Sequence, residues 1–157
     1  MIEVSDYACG HCGDFNRDKA SLLDAQYVKT GKVRWIGHVF ALRPETQPAA
    51  AAALCANEQG KYWEFHQQAF LGQLQDRYPN NDDFLSWGQK AGLDINKFAE
   101  CVNSGRTLQD AQISELEASR VGITGTPTFF INGTVIYGNA PLAQFQSAIE
   151  AALAGKP

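Results

Sequence analysis

The stretch 5-SDYACGHCGDF-15 sets Cys9 and Cys12 around a Gly-His pair near the start of the chain. Its flanks decide how the pair is read. Before it stands a short β-type run, 2-IEVS-5. After it, from Cys12 to about Thr30, Phe15, Leu22, Leu23 and Tyr27 recur on one side of a helix, and Gly31 stops that helix. The run 33-VRWIGHVF-40 then has apolar residues on both faces, which predicts a central strand covered on both sides. Strand, helix and strand in this order form a βαβ unit, with parallel strands and a right-handed crossover. The cysteine pair therefore opens the helix of a βαβ unit.

Working outward, residues 46–120 read as helical throughout. Pro48 sits in the first turn of a helix that ends near Gly60, and a second helix covers 61–75. A third starts at Asn81 or Asp82 and ends near Gly92. Asp94 caps a fourth, which runs through Cys101, and a fifth spans about Thr107 to Arg120 with Leu108, Ile113 and Leu116 as its apolar positions. Beyond this block, 128-TFFI-131, Asn132-Gly133 and 134-TVIY-137 spell a hairpin on a type I′ turn. A last helix begins near Pro141. The expectation is a single α/β domain over 1–157, its sheet built from βαβ plus a C-terminal ββα, with an all-helical insertion at 46–120.

Composition narrows the function. The 157 residues carry a net charge of −4 and are 45% apolar, an ordinary composition for one globular domain. The basic residues are scattered, which argues against a nucleic-acid partner. No apolar run reaches the ~20 residues of a membrane helix, and 49-AAAAALCA-56 reflects helix propensity. The chain opens as MIEVSDY without a signal peptide, so a targeting segment is expected to have been removed. Four cysteines, Cys9, Cys12, Cys55 and Cys101, permit full pairing in any of three connectivities.

Three uses compete for the Cys9–Cys12 pair. A structural zinc site needs a second such pair, and Cys55, Cys101, His38 and His66 are all single, so neither metal nor cofactor is expected. An inert cross-link over two intervening residues closes too small a loop to stabilise much. Thiol–disulfide exchange fits the context. At a helix N-terminus the unpaired N–H groups and the dipole favour a thiolate at Cys9, and His11 can add positive charge. Cys12, one turn further in, is placed to attack a mixed disulfide at Cys9 and release the partner.

The motifs Cys9-Gly10-His11-Cys12 and 125-GTPTFFING-133, with the helical block between them, resemble the DsbA-like thiol–disulfide oxidoreductases of the thioredoxin-fold superfamily over nearly the whole chain. The resemblance implies a cis Thr126-Pro127 bond beside the cysteines, forming a loop that holds an extended substrate chain. It implies that Glu3 lies under the site and accepts the Cys12 proton. It implies a structural disulfide between Cys55 and Cys101, closing a loop of about 45 residues worth ~3–4 kcal/mol. The Gly-His pair is similar to that of protein disulfide isomerase domains and implies an oxidising dithiol. Tyr7 and Phe15 are expected either in the substrate groove or in the core. Family members usually carry a further N-terminal strand. This chain opens without it, which leaves a sheet edge uncovered.

The resemblance further implies a periplasmic or otherwise extracytoplasmic monomer. Its partners would be folding proteins with free thiols and a membrane oxidase for reoxidation. A disulfide reductase or isomerase, and a thioredoxin-fold chaperone-like module with an idle cysteine pair, are the alternatives. A kappa-type glutathione transferase relative shares the inserted fold, but Cys12 argues against it.

Overall fold

A computed structural model describes residues 1–74 and 76–155. Strand β1 (Ile2–Ser5) leads into helix α1 (Gly10–Phe15). The helical path continues through a π-helical turn (Asn16–Ala20), α2 (Ser21–Leu23) and a second π-helical turn (Asp24–Val28). Gly31, at φ +74°, ends it. Strand β2 (Ile36–Val39) pairs parallel to β1 in the register Glu3↔Gly37, completing the βαβ unit.

The insertion follows as α3 (Gln47–Glu58), α4 (Tyr62–Leu71), α5 (Asn81–Lys90), α6 (Ile95–Ser104) and α7 (Leu108–Arg120). Asn80 caps α5 in a reciprocal box with Asp83, and Asp94 caps α6 through the Lys97 N–H. Strands β3 (Thr128–Ile131) and β4 (Thr134–Tyr137) form the hairpin, with Asn132 at φ +48° and Gly133 at +96° as a type I′ turn demands. Helix α8 (Leu142–Leu153) closes the fold.

The sheet order is β2-β1-β3-β4, so β2 is an edge strand and β1 is central. This corrects the reading of 33–40 as a central strand. Val33 and Trp35 are apolar because they pack, partly buried, against the core beneath the helices, not because the strand is flanked on both sides. The strand proper starts only at Ile36. On one face of the sheet Phe129 and Ile136 meet Phe15, Leu23 and Tyr27 of the first helical path and Phe145 and Ile149 of α8. On the other, Val4 packs with Ala118 of α7 and Ile123.

Three further expectations need adjusting. The second insertion helix ends at Leu71 and not at 75, and Gln75 lies outside the described residues. In α7 the buried positions are Ala111 and Ala118, whereas Ile113 and Leu116 are about half exposed at 46% and 50%. Helix α7 packs against α3, whose alanines at 49–53 are all buried; small side chains on both helices allow close approach. Of the two places expected for Tyr7 and Phe15, groove or core, both take the core, at 3% and 0% exposure.

Candidate active site

The loop between β1 and α1 is tied down before the cysteines appear. Asp6, fully buried, accepts hydrogen bonds from the N–H groups of Ala8 (2.7 Å) and Leu42 (2.6 Å) and from the Thr46 hydroxyl (2.7 Å). Gln73 reaches in from beyond α4 and donates from Nε2 to the carbonyls of Tyr7 and Cys9, both at 2.9 Å. Cys9 is then the N-cap of α1, with extended backbone and no side-chain cap of its own. Its thiol is half-buried. Cys12, one turn on, is completely buried.

The two thiols differ sharply in acidity. Cys9 is pulled down to about 6, chiefly by the hydrogen bond from the Cys12 thiol and also by the Cys12 backbone N–H, while burial and the Asp6 charge oppose. Burial pushes Cys12 well up, and its thiol gives its proton toward Cys9 instead of ionising. One sulfur is thus an accessible thiolate at neutral pH and the other a protected thiol. Alkylation of the reduced protein should follow a single ionisation at Cys9 with a midpoint near 6, leaving Cys12 unmodified; peptide mass mapping across pH checks this. Cys12→Ala, which removes the main stabilising hydrogen bond, should move that midpoint upward.

Opposite Cys9 lies the cis Thr126-Pro127 bond. The Cys9 Sγ is 3.3 Å from the Thr126 carbonyl oxygen, and Pro127 is buried behind it. Gly10 and His11 are exposed on the first turn of α1. Cys55 and Cys101 form a disulfide between α3 and α6, with a Cα–Cα distance of 5.8 Å, well away in sequence from the reactive pair.

Glu3 has no exposed surface at all. Its Oε1 accepts a 3.0 Å hydrogen bond from Asn16 Nδ2, and the same amide donates to the Cys12 carbonyl at 3.0 Å. The carboxylate is therefore brought under the buried cysteine through one shared side chain. Asn16 opens the π-helical turn, a feature frequent at functional sites. Sequence reasoning missed three residues of this arrangement: Asn16, Gln73 and Asp6. Only Asp6 offered a clue, as a Ser-Asp step after a strand, where Asp favours turns through its own side chain.

A family model described as Thioredoxin matches residues 1–151. The chain belongs to the thioredoxin family. A Na(+)/H(+) antiporter NhaA of Salinispora tropica is 30% identical over 161 residues, which is 98% of this chain and 23% of the antiporter. A Rickettsia felis protein described as "Putative protein-disulfide oxidoreductase" is 24% identical over 98% of this chain and 56% of its own length. The chain thus spans a quarter to just over half of these curated relatives. The crystal structure of Chlamydia trachomatis DsbA superimposes with a TM-score of 0.86 at 16% identity, covering 96% of this chain and 84% of that one. The fold is the DsbA-like variant of the thioredoxin family, with its helical insertion. No helix among the described residues is long and apolar enough to cross a membrane.

Proposed function

We propose that the protein is a thiol–disulfide oxidoreductase that donates a Cys9–Cys12 disulfide to exported proteins as they fold. The observation that carries this reading is the split between a half-buried thiolate at Cys9 and a buried thiol at Cys12, facing a cis-proline loop. A substrate thiolate attacks Cys9 Sγ, the Cys9–Cys12 bond breaks, and Cys12 leaves and takes up a proton. A second substrate thiolate then attacks the substrate sulfur of the mixed disulfide and expels Cys9. Two electrons pass from the substrate thiols to the enzyme. A stable Cys9 thiolate is a good leaving group and favours the reduced enzyme, so the disulfide form is oxidising.

Thr126-Pro127 would hold the substrate backbone as an added strand. His11 and Gly10 would tune the potential. A membrane oxidase would return the pair to the disulfide, and the compartment would be extracytoplasmic, where the Cys55–Cys101 bridge also persists. The protein would act as a monomer. Equilibration with glutathione buffers tests the direction, with the two cysteine pairs followed separately by mass. A potential of about −200 mV or higher is expected for Cys9–Cys12. A value near about −270 mV, that of a reducing dithiol, would replace donation by reduction.

A further inference from the structure

Each passage of electrons through this site puts one proton on Cys12 or takes one off, and Cys12 has no exposed surface. A route for that proton is visible on the side of Glu3 remote from Cys9. His66, on α4 and 2% exposed, holds its Nε2 3.5 Å from Glu3 Oε1. Its other ring nitrogen is fixed: Tyr7 Oη and His66 Nδ1 are 3.1 Å apart. With Nδ1–H donating to the Tyr7 oxygen, the neutral ring keeps its lone pair on Nε2, on the side of the Glu3 carboxyl, where it can take up and return a proton. That Nε2 has no hydrogen-bond partner among the described residues, nor has Glu3 Oε2. An unbonded pair at 3.5 Å closes with a small ring movement or one water, as gaps in resting acid–base sites commonly do.

The ring also reaches an opening to solvent. His66 and Asn16 contribute to the wall of a groove of about 480 Å3 between α4 and the first helical path, flanked by Trp35 and Trp63. The charged groups at this groove are Asp24, Lys29 and Glu64. The inner side of the ring meets Glu3, Tyr7 and Tyr62, the last stacked on it at 5.4 Å. Burial holds both tyrosines well above their ordinary range, so neither ionises near neutrality. Tyr62 lies directly over Gly37, where any added Cβ would clash with its ring.

We propose that His66 is the proton-exchange residue of this site, linking Glu3 to water in the Trp35–Trp63 groove so that Cys12 is served from behind while substrate covers Cys9. In the donor direction the leaving Cys12 thiolate takes the proton of the Glu3 carboxyl. The Glu3 carboxylate regains a proton from Nε2–H of the imidazolium form of His66, whose Nδ1–H stays on the Tyr7 oxygen, and the Nε2 left neutral takes its next proton from groove water; in the reverse direction each transfer runs backward. The proposal rests on the oxidoreductase reading above.

The test is single-turnover disulfide transfer to a dithiol peptide, quenched in acid and followed by mass across pH. His66→Gln keeps a hydrogen-bonding side chain of similar length that carries no exchangeable charge near neutrality. It is expected to slow transfer at least about tenfold and to flatten the pH profile, at the low end of what acid–base groups contribute. His66→Ala opens the ring's place to the groove. Added imidazole should restore the rate in that variant, and pyrazole, the same size and far less basic, should not. Cys9 alkylation with an unchanged midpoint near 6 shows that the thiolate site is intact in both variants. A wild-type rate and profile in His66→Gln, or equal rescue by pyrazole, would overturn the relay while leaving the oxidoreductase reading standing. If the wild-type protein transfers no disulfide at all, both fall together.

Discussion

Replacing Cys9 by Ser eliminates disulfide transfer, with no residual turnover above the uncatalysed exchange. A hydroxyl is not ionised at neutral pH and forms no disulfide, so the reaction loses its accessible thiolate. The fold should survive. Cys9 caps α1 without a side-chain hydrogen bond, and Ser is among the best residues at an N-cap, so the substitution is neutral to slightly stabilising. Circular dichroism and urea unfolding of Cys9→Ser alongside its transfer rate separate the two effects. The same variant tests the chaperone-like alternative: if it shields an aggregating client as well as the wild-type protein does, and transfer by the wild type is negligible, the thiol is incidental to function and the chaperone-like reading replaces the oxidoreductase one.

The second large effect concerns stability. The Cys55–Cys101 bridge spans a sequence separation of 46 and joins α3 to α6 inside the insertion core, with both residues at 1% exposure or less. In the chain-entropy model its loss costs about 4 kcal/mol. Typical domains have ~5–15 kcal/mol in total, so the double variant Cys55→Ala, Cys101→Ala should unfold at much lower urea, with a steeper transition because the unbridged unfolded chain is more expanded. Thr107 loses a contact as well: its hydroxyl lies 3.4 Å from Cys55 Sγ while donating to the Ala51 carbonyl at 2.9 Å. Under native conditions the two pairs should also separate by reactivity. Mild reductant reaches half-buried Cys9 first and leaves the buried bridge closed. A bridge that reduces together with Cys9–Cys12, or a double variant as stable as the wild type, would deny it a structural role.

What could be read from the sequence was local. Cys9 and Cys12, the Asn132-Gly133 turn, the Asp94 cap and the strand–helix–strand order all depend on residues within a few positions of one another. The dihedral preferences and helix-end electrostatics that act at that range are properties of residue type. Sheet order is not such a property. The apolar run at 33–40 gave no way to tell an edge strand backed by aromatic packing from a central strand. Likewise Ile113 and Leu116 outrank alanine in hydrophobicity, yet the α3–α7 contact is decided by how closely two backbones approach, and that favours Ala111, while Ala118 packs on the sheet against Val4. The acid–base surroundings of Cys12 were half visible. Glu3 was reached only through the family resemblance, and His66 lies 59 positions from the tyrosine that orients it, a distance no spacing rule covers.

The alanines of α3 carry a further meaning. The run from Ala49 to Ala53 is enclosed on every side, with α4, α6 and α7 against it and the Cys55 anchor just beyond. An enclosed methyl group has no spare room: a larger side chain forces neighbouring helices apart, at ~1–3 kcal/mol, and glycine loosens the helix by up to about 1 kcal/mol. Substitution is therefore penalised in both directions at each of these positions. The compositionally plainest segment of the chain is, for this reason, among its least tolerant of drift, and a random library of variants would be depleted there much as at the reactive cysteines.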